Sequence, residues 1–152
     1  MPTAIGDDLN GSIGTVPGTD SPGATKFNEI AKSNNFKAGP YTKESYDSAA
    51  LIMLAMQAAN STNSNDFKSK VMDVANAPGE KIFPGELAKG LKLLSEGKEI
   101  DYVGASAVEL IGGGESAGNF AEILIDNQKV TTVGYKYCLL YTSPSPRDRT
   151  TS

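Results

Sequence analysis

Glu44 and Asp47 are the two carboxylates best spaced for acid–base chemistry, because residues at i and i+3 lie on one side of a helix. They also fall at the start of a predicted helix, where the macrodipole explains acidic side chains without any catalysis. The rest of the usual catalytic inventory is missing. The 152-residue chain has no His and a single Cys, Cys138, which removes the commonest general base and metal ligand and leaves no internal disulfide or Cys-type zinc site. Gly112-Gly-Gly-Glu-Ser-Ala-Gly118 has the glycine density of a phosphate cradle, but no Lys-Ser/Thr follows it and it lies between strand signals, so it reads as a flexible turn. Asp7, Asp8, Glu80, Glu86 and Glu109 show no convergence and read as solvated. The expectation is a protein that is not an enzyme, with no catalytic residue, no metal site and no cofactor.

Binding chemistry has better candidates. Tyr41 follows Gly39-Pro40 just ahead of the most apolar segment, where its ring can cover an aliphatic group while the hydroxyl keeps a hydrogen bond. Packing without ligand contact is the competing role for Tyr41, and Tyr46, one turn further on, reads as core. A net charge of −4 with no Lys cluster argues against a nucleic-acid partner. The longest nearly unbroken apolar stretch, residues 49–59, contains Gln57 and falls far short of the roughly 20 residues of a bilayer span. Met1 is followed by Pro2, Thr3, Ala4, Asp7 and Asp8, without the basic region and apolar run of a secretion signal.

These side chains need elements to position them. The run 11–16 is short, partly β-branched and bounded by Gly11 and Pro17-Gly18, as a strand entering a turn would be. A helix is predicted next, with Ser21 as N-cap, Pro22 first, Phe27, Ile30 and Ala31 on one face, and a stop at Asn34-Asn35. Residues 44–60 form the strongest helical segment. It is apolar on nearly every side, and such a helix is expected to be covered on most faces inside a larger body. An Asn65 cap should then open a one-faced helix through Phe67, Val71 and Val74 that stops near Asn76, and Pro84 a third one through Leu87, Leu91 and Leu94 that ends at Gly97. Beyond Gly97 the period becomes extended: 100–103, 108–111, and a hairpin of 120–125 with 130–133 around Asp126-Asn127-Gln128. The order of elements predicts an α/β or α+β class.

The last sixteen residues differ from the rest. Residues 1–136 hold twelve Lys and no Arg, whereas Arg147, Arg149 and Cys138 all fall after Tyr137. From Tyr137 the chain reads YCLLYTSPSPRDRTTS, which resembles translated sequencing-adapter read-through, and residues 137–152 are expected to be a disordered, non-native tail. Without that tail the net charge is −5.

Tyr46-Asp-Ser-Ala-Ala-Leu51, Val74-Ala-Asn-Ala-Pro-Gly-Glu80, Pro84-Gly-Glu-Leu-Ala-Lys89 and Ile100-Asp-Tyr-Val-Gly-Ala-Ser106 occur in one order and spacing. Together they resemble the C-terminal part of type I periplasmic solute-binding proteins of the branched-chain amino-acid ABC transporter family, the leucine/isoleucine/valine-binding proteins. The resemblance implies a partial type I periplasmic-binding-protein fold, α/β, from a two-lobed protein more than twice this length. It implies an irregular start over 1–10, a second-lobe strand and interlobe crossover over 11–18, the rest of the first lobe over 19–119 and a returning hairpin over 120–136. Met1 is then an internal or truncated start with a signal peptide upstream, and the location is periplasmic.

What the resemblance implies about function is capture of a branched-chain or related amino acid, or an amide, and delivery of the closed form to an inner-membrane permease. Tyr41 matches a ligand-facing position of the family, Thr15 lies by the crossover, and the groups for the ligand's ammonium and carboxylate fall upstream. A ligand-sensing regulator of amide or urea uptake is the alternative on the same fold, and a small enzyme the alternative from another class. The run Glu109-Leu-Ile-Gly-Gly-Gly-Glu115 departs from the family's Phe-Asp and Asn-Gly pattern, so the ligand's identity stays open.

Overall fold

The structure is a computed structural model that describes residues 2–112 and 115–137; of the expected tail 137–152 it describes Tyr137, and residues 138–152 lie outside the described residues. Its core is built on the most apolar segment, helix α3 (Thr42–Ala59), which comes after helices α1 (Pro2–Ile5) and α2 (Pro22–Ser33). Asp47, Ala50, Leu51, Leu54 and Ala55 recur at helical spacing and are buried. Ile52 and Met53, on the other side, are 44% and 42% exposed. Among the described residues the elements that pack on α3 gather on one side of it and leave this other face open.

That side is formed by helix α5 (Lys70–Ala75), strand β2 (Glu80–Ile82), helix α6 (Leu87–Ser95) and strand β3 (Ile100–Tyr102). Strands β2 and β3 pair in parallel with Ile82 opposite Tyr102, and α6 makes the crossover that parallel neighbours require. Leu54, Ala55, Val74, Ala75, Ile82, Ile100 and Tyr102 fill the resulting core. Helix α6 approaches α3 closely through Gly90, where a Cβ would lie 2.9 Å from a Leu54 methyl and 3.4 Å from Ile82. A second, smaller cluster joins Phe27 and Ala31 of α2 to Ala105, with Tyr46 against it.

Local chemistry explains most boundaries. The Ala24 N–H donates to the Ser21 hydroxyl at 3.2 Å, which caps α2 where Pro22 begins it, and Asn34 ends it. The expected single helix opened by Asn65 is instead two short ones: α4 (Ser64–Phe67), capped by Asn63, whose side chain accepts from the Asn65 N–H at 2.9 Å, and α5, which follows Ser69 without a side-chain cap. Between them Lys68 and Ser69 keep helical dihedrals, and the Ser69 hydroxyl donates to the Asp66 carbonyl. Pro84 does not start α6 either. It stands in a turn with Gly85 at φ +87°, and the helix begins at Leu87; Gly97 at φ +73° follows its end.

A separate antiparallel sheet runs in the order β1 (Ile13–Pro17), β6 (Phe120–Asp126), β7 (Lys129–Lys136), with Ile13 opposite Leu124 and Asp126 opposite Lys129. Asn127 and Gln128 both take positive φ, 48° and 60°, so the two-residue turn has the primed geometry that suits the strand twist although no glycine is present. Strands β4 (Leu110–Gly112) and β5 (Glu115–Ser116) form a small hairpin at the glycine run, of which residues 113 and 114 lie outside the described set. The start, expected to be irregular over 1–10, contains α1 and a 3-10 turn over Gly6–Leu9. Among the described residues no helix is long and apolar enough to cross a membrane.

Leu54 is fully buried where α3, α6 and β2 meet, so Leu54→Ala removes packing on three sides. The expected loss is about 2–5 kcal/mol of unfolding free energy, measured by urea denaturation followed by circular dichroism. Ile52→Ala on the open face should cost under about 0.5–1 kcal/mol by the same measurement.

Candidate functional site

The elements converge at the carboxyl ends of β2 and β3, and the group that organises this end is Asp47. Its side chain is 2% exposed although it is an acid on the core stripe of an apolar helix. Both oxygens are satisfied. The Tyr102 hydroxyl donates to Oδ1 at 2.9 Å and the Ala105 N–H to the same oxygen at 2.7 Å. The Ser106 N–H donates to Oδ2 at 2.7 Å and the Ser106 hydroxyl at 2.6 Å. Four short donors to one carboxylate are the arrangement that lets a charge remain in a dry interior. Burial, with the Asp47 charge beside it, pushes the Tyr102 phenol far above its ordinary range, so it stays a hydrogen-bond donor.

Gly104 makes this geometry possible. It stands at φ +64°, and a Cβ there would lie 2.5 Å from Asp47 Oδ1. Its N–H and that of Val103 turn back to the Ile82 carbonyl, which sends the loop after β3 over the end of β2. The Gly104 carbonyl in turn meets the first turn of α2: a Cβ on Gly23 would fall 1.8 Å from that oxygen. Ahead of Gly23, Thr19 is buried and its hydroxyl accepts from the Ser21 N–H at 3.2 Å, and the Gly18 N–H donates to the Asn119 carbonyl. Asp47, the 104–106 loop, α2 and the segment after β1 are thus one continuous contact.

A groove of about 600 Å³ opens between α2 and α3, lined by Phe27, Ile30, Ala31, Phe36 and Tyr46. Tyr46 sets its floor: its ring meets Phe27 edge-on at 5.2 Å, and its hydroxyl accepts from the Gly85 N–H at 3.1 Å. Across the turn, Glu86 accepts from the Phe83 N–H and pairs with Lys26 at 3.5 Å, while the Lys26 ammonium lies 4.4 Å from the Phe83 ring centroid. The Phe83 hydrogen bond, helped by the Lys26 and Lys89 charges, holds the Glu86 carboxyl below its ordinary value of 4.5.

The site residues expected from sequence fall on different elements. Tyr41 is the residue before α3, at φ +62° and 61% exposed, with its carbonyl accepting from both the N–H and the hydroxyl of Ser45. Thr15 is exposed on β1 opposite Glu122. Among the described residues no hydrogen bond joins the two. The Glu44–Asp47 pair separates: Glu44 stays partly exposed while Asp47 turns inward, so the helix dipole is not what accounts for Asp47. Glu80 and Glu86, read as solvated, lie at the surface, where they pair with Lys89 and Lys26. Asp47 was legible in one respect, since it shares the i, i+3, i+4, i+7 stripe with Ala50, Leu51 and Leu54, and an acid on that stripe must find partners. No three His, Cys, Asp or Glu converge to hold a metal among the described residues.

No family model matches the chain. It is 28% identical over 97 residues to the chemotactic signal transduction system substrate-binding protein BasB of Halobacterium salinarum, a match covering 64% of this chain and 24% of that protein. Among solved structures it is similar to the leucine binding protein LivK of Thermotoga maritima, with a TM-score of 0.61 and 16% identity over 90% of this chain and 34% of the other. The chain thus spans about a quarter of the curated relative and about a third of the solved one. The second likeness shows the fold: a mixed α/β chain with part of the type I periplasmic-binding-protein architecture.

Asp47→Ala leaves two amides and a phenol without their acceptor in a dry interior, and should lower unfolding free energy by about 3–5 kcal/mol in chemical denaturation. A pH effect should come from Glu86. Its folded pKa is depressed, so its contribution is fully present above the unfolded value and is lost as pH falls through the lower folded value. Thermal melts of Glu86→Gln between pH 6 and pH 2 should therefore start lower than wild type and converge with it at the acid end.

Proposed function

We propose that this chain is part of a solute-binding protein that captures a branched-chain or related amino acid, or a small amide, and presents its closed form to an ABC permease outside the cytoplasm. The observation that carries the reading is the fold likeness to a leucine binding protein over nine-tenths of the chain. The separation of the β1-β6-β7 sheet from the β2-β3 pair supports a division in which residues 19–119 belong to one lobe and the strands β1, β6 and β7 to the other. Tyr41, exposed at the head of α3, offers a ring face for an aliphatic side chain, and Thr15 offers a hydroxyl from the opposite lobe. A ligand that touches both lobes favours closure by its differential affinity for the closed form, and no covalent step is needed.

A second reading shares the site and changes the partner. The curated relative is by name part of a chemotactic signal transduction system, which favours a closed form read by a membrane signalling receptor instead of, or beside, a permease.

Isothermal titration of the complete product of the gene that encodes this chain, against leucine, isoleucine, valine and a short aliphatic amide, tests the reading. Binding of at least one is expected, weakened about tenfold or more by Tyr41→Ala, the scale of one lost aromatic contact. No heat with any of the four, or binding that Tyr41→Ala leaves unchanged, would overturn it. Co-purification of the ligand-bound form with permease or with receptor separates the two partners.

A further inference from the structure

The geometry points to Asp47 as a positioning residue that acts on the binding segments without touching the ligand. This rests on the reading above, in which Tyr41 and Thr15, beside the crossover, face the ligand. Tyr41 immediately precedes α3 and its carbonyl accepts from the Ser45 N–H and hydroxyl in the first turn, which ties it to the helix that carries Asp47. On its other side the carboxylate holds the Ala105 and Ser106 amides at 2.7 Å, which fixes the 104–106 loop against α3. Gly104, whose carbonyl would sit 1.8 Å from a Cβ on Gly23, carries the first turn of α2 directly. The crossover then has little freedom. It is pinned behind Gly23 by the Ser21 cap and by buried Thr19, and ahead of them by the Gly18 bond to Asn119.

The consequence is mechanical. Close packing transmits a displacement of the loop instead of absorbing it, because neither Gly104 nor Gly23 has a side chain that could repack. Loss of the carboxylate should therefore move the α2 start relative to Tyr41, although the ligand-facing groups themselves are unchanged. A fold-supporting role alone would loosen the core around Leu54 and Ile82 as much as the α2 start.

Amide hydrogen exchange on the full chain, wild type against Asp47→Asn and the milder Ser106→Ala, decides between them. Ser106→Ala keeps the carboxylate and removes one of its four donors, so it remains informative if Asp47→Asn does not fold. Protection at residues 23–25 and 105–106 is expected to fall together, by roughly tenfold or more, while amides of α6 and β2 keep theirs. Loss at 105–106 with residues 23–25 unchanged, or a uniform loss through α6 and β2 in a folded variant, overturns the proposal. Titration of the same variants in the complete gene product against leucine, isoleucine and valine should show weaker binding than the folded fraction accounts for. If the wild type binds none of these amino acids, the functional reading fails, and the exchange pattern still decides the positioning role.

Discussion

A carboxylate with no access to water has to find its whole hydration shell in protein, and Asp47 does so with two amides, a serine hydroxyl and a phenol. These donors come from β3 and the loop after it, so the charge can be buried only if helix, strand and loop all stand in one arrangement. An apolar side chain at the same place would tolerate several packings of the loop; a buried anion tolerates few, because each alternative strands a donor or the charge itself. Gly104 and Gly23 follow from this constraint, since the loop passes too near the carboxylate and α2 too near the loop for any Cβ.

Around this point the core has a plain logic. Two parallel strands are too few to stand alone, and their inner side chains Ile82, Ile100 and Tyr102 are covered by α3, α5 and α6. Small residues set the distances: Ala50, Ala55, Ala75 and Gly90 bring helices near enough for Leu54 to be enclosed completely. The apolar groove beside Tyr46 and the open Ile52–Met53 side of α3 are apolar surfaces of the opposite kind, exposed where the core is closed. The antiparallel sheet β1-β6-β7 contributes nothing to the main core cluster and reaches the helical body through the segment 17–21 and the loop before Phe120.

Local rules served well where one residue decides one backbone group. Ser21 and Pro22 start α2 as their chemistry requires, Gly97 follows the end of α6, and the hairpin forms at Asn127-Gln128 because Asn and Gln can both be held at positive φ by the strands they join. They served poorly where two local options compete. Asn63 and Asn65 can each cap a helix, and it is the Asn63 side chain that takes the Asn65 N–H and sets the start of α4. Pro84 is as acceptable in a turn as at a helix start, and Glu86 accepting from the Phe83 amide tips the balance to the turn. Strand β2 carries no period of its own, being three residues with one side chain buried, and exists because β3 lies beside it.

Sequence by itself determined the class of fold, the placing of α2, α3 and the late hairpin, the absence of histidine chemistry, and a likeness spread over four motifs, because each of these is written in neighbours along the chain. The role of Asp47 was decided by tertiary structure alone. Its partners lie 55 to 59 residues away, and whether an acid on a helix is solvated, paired or cradled depends on which donors the fold brings to it. The same holds for Tyr41 and Thr15, which are local features of a helix start and a strand; what they face is set by the relative placing of two sheets, which no short-range pattern encodes.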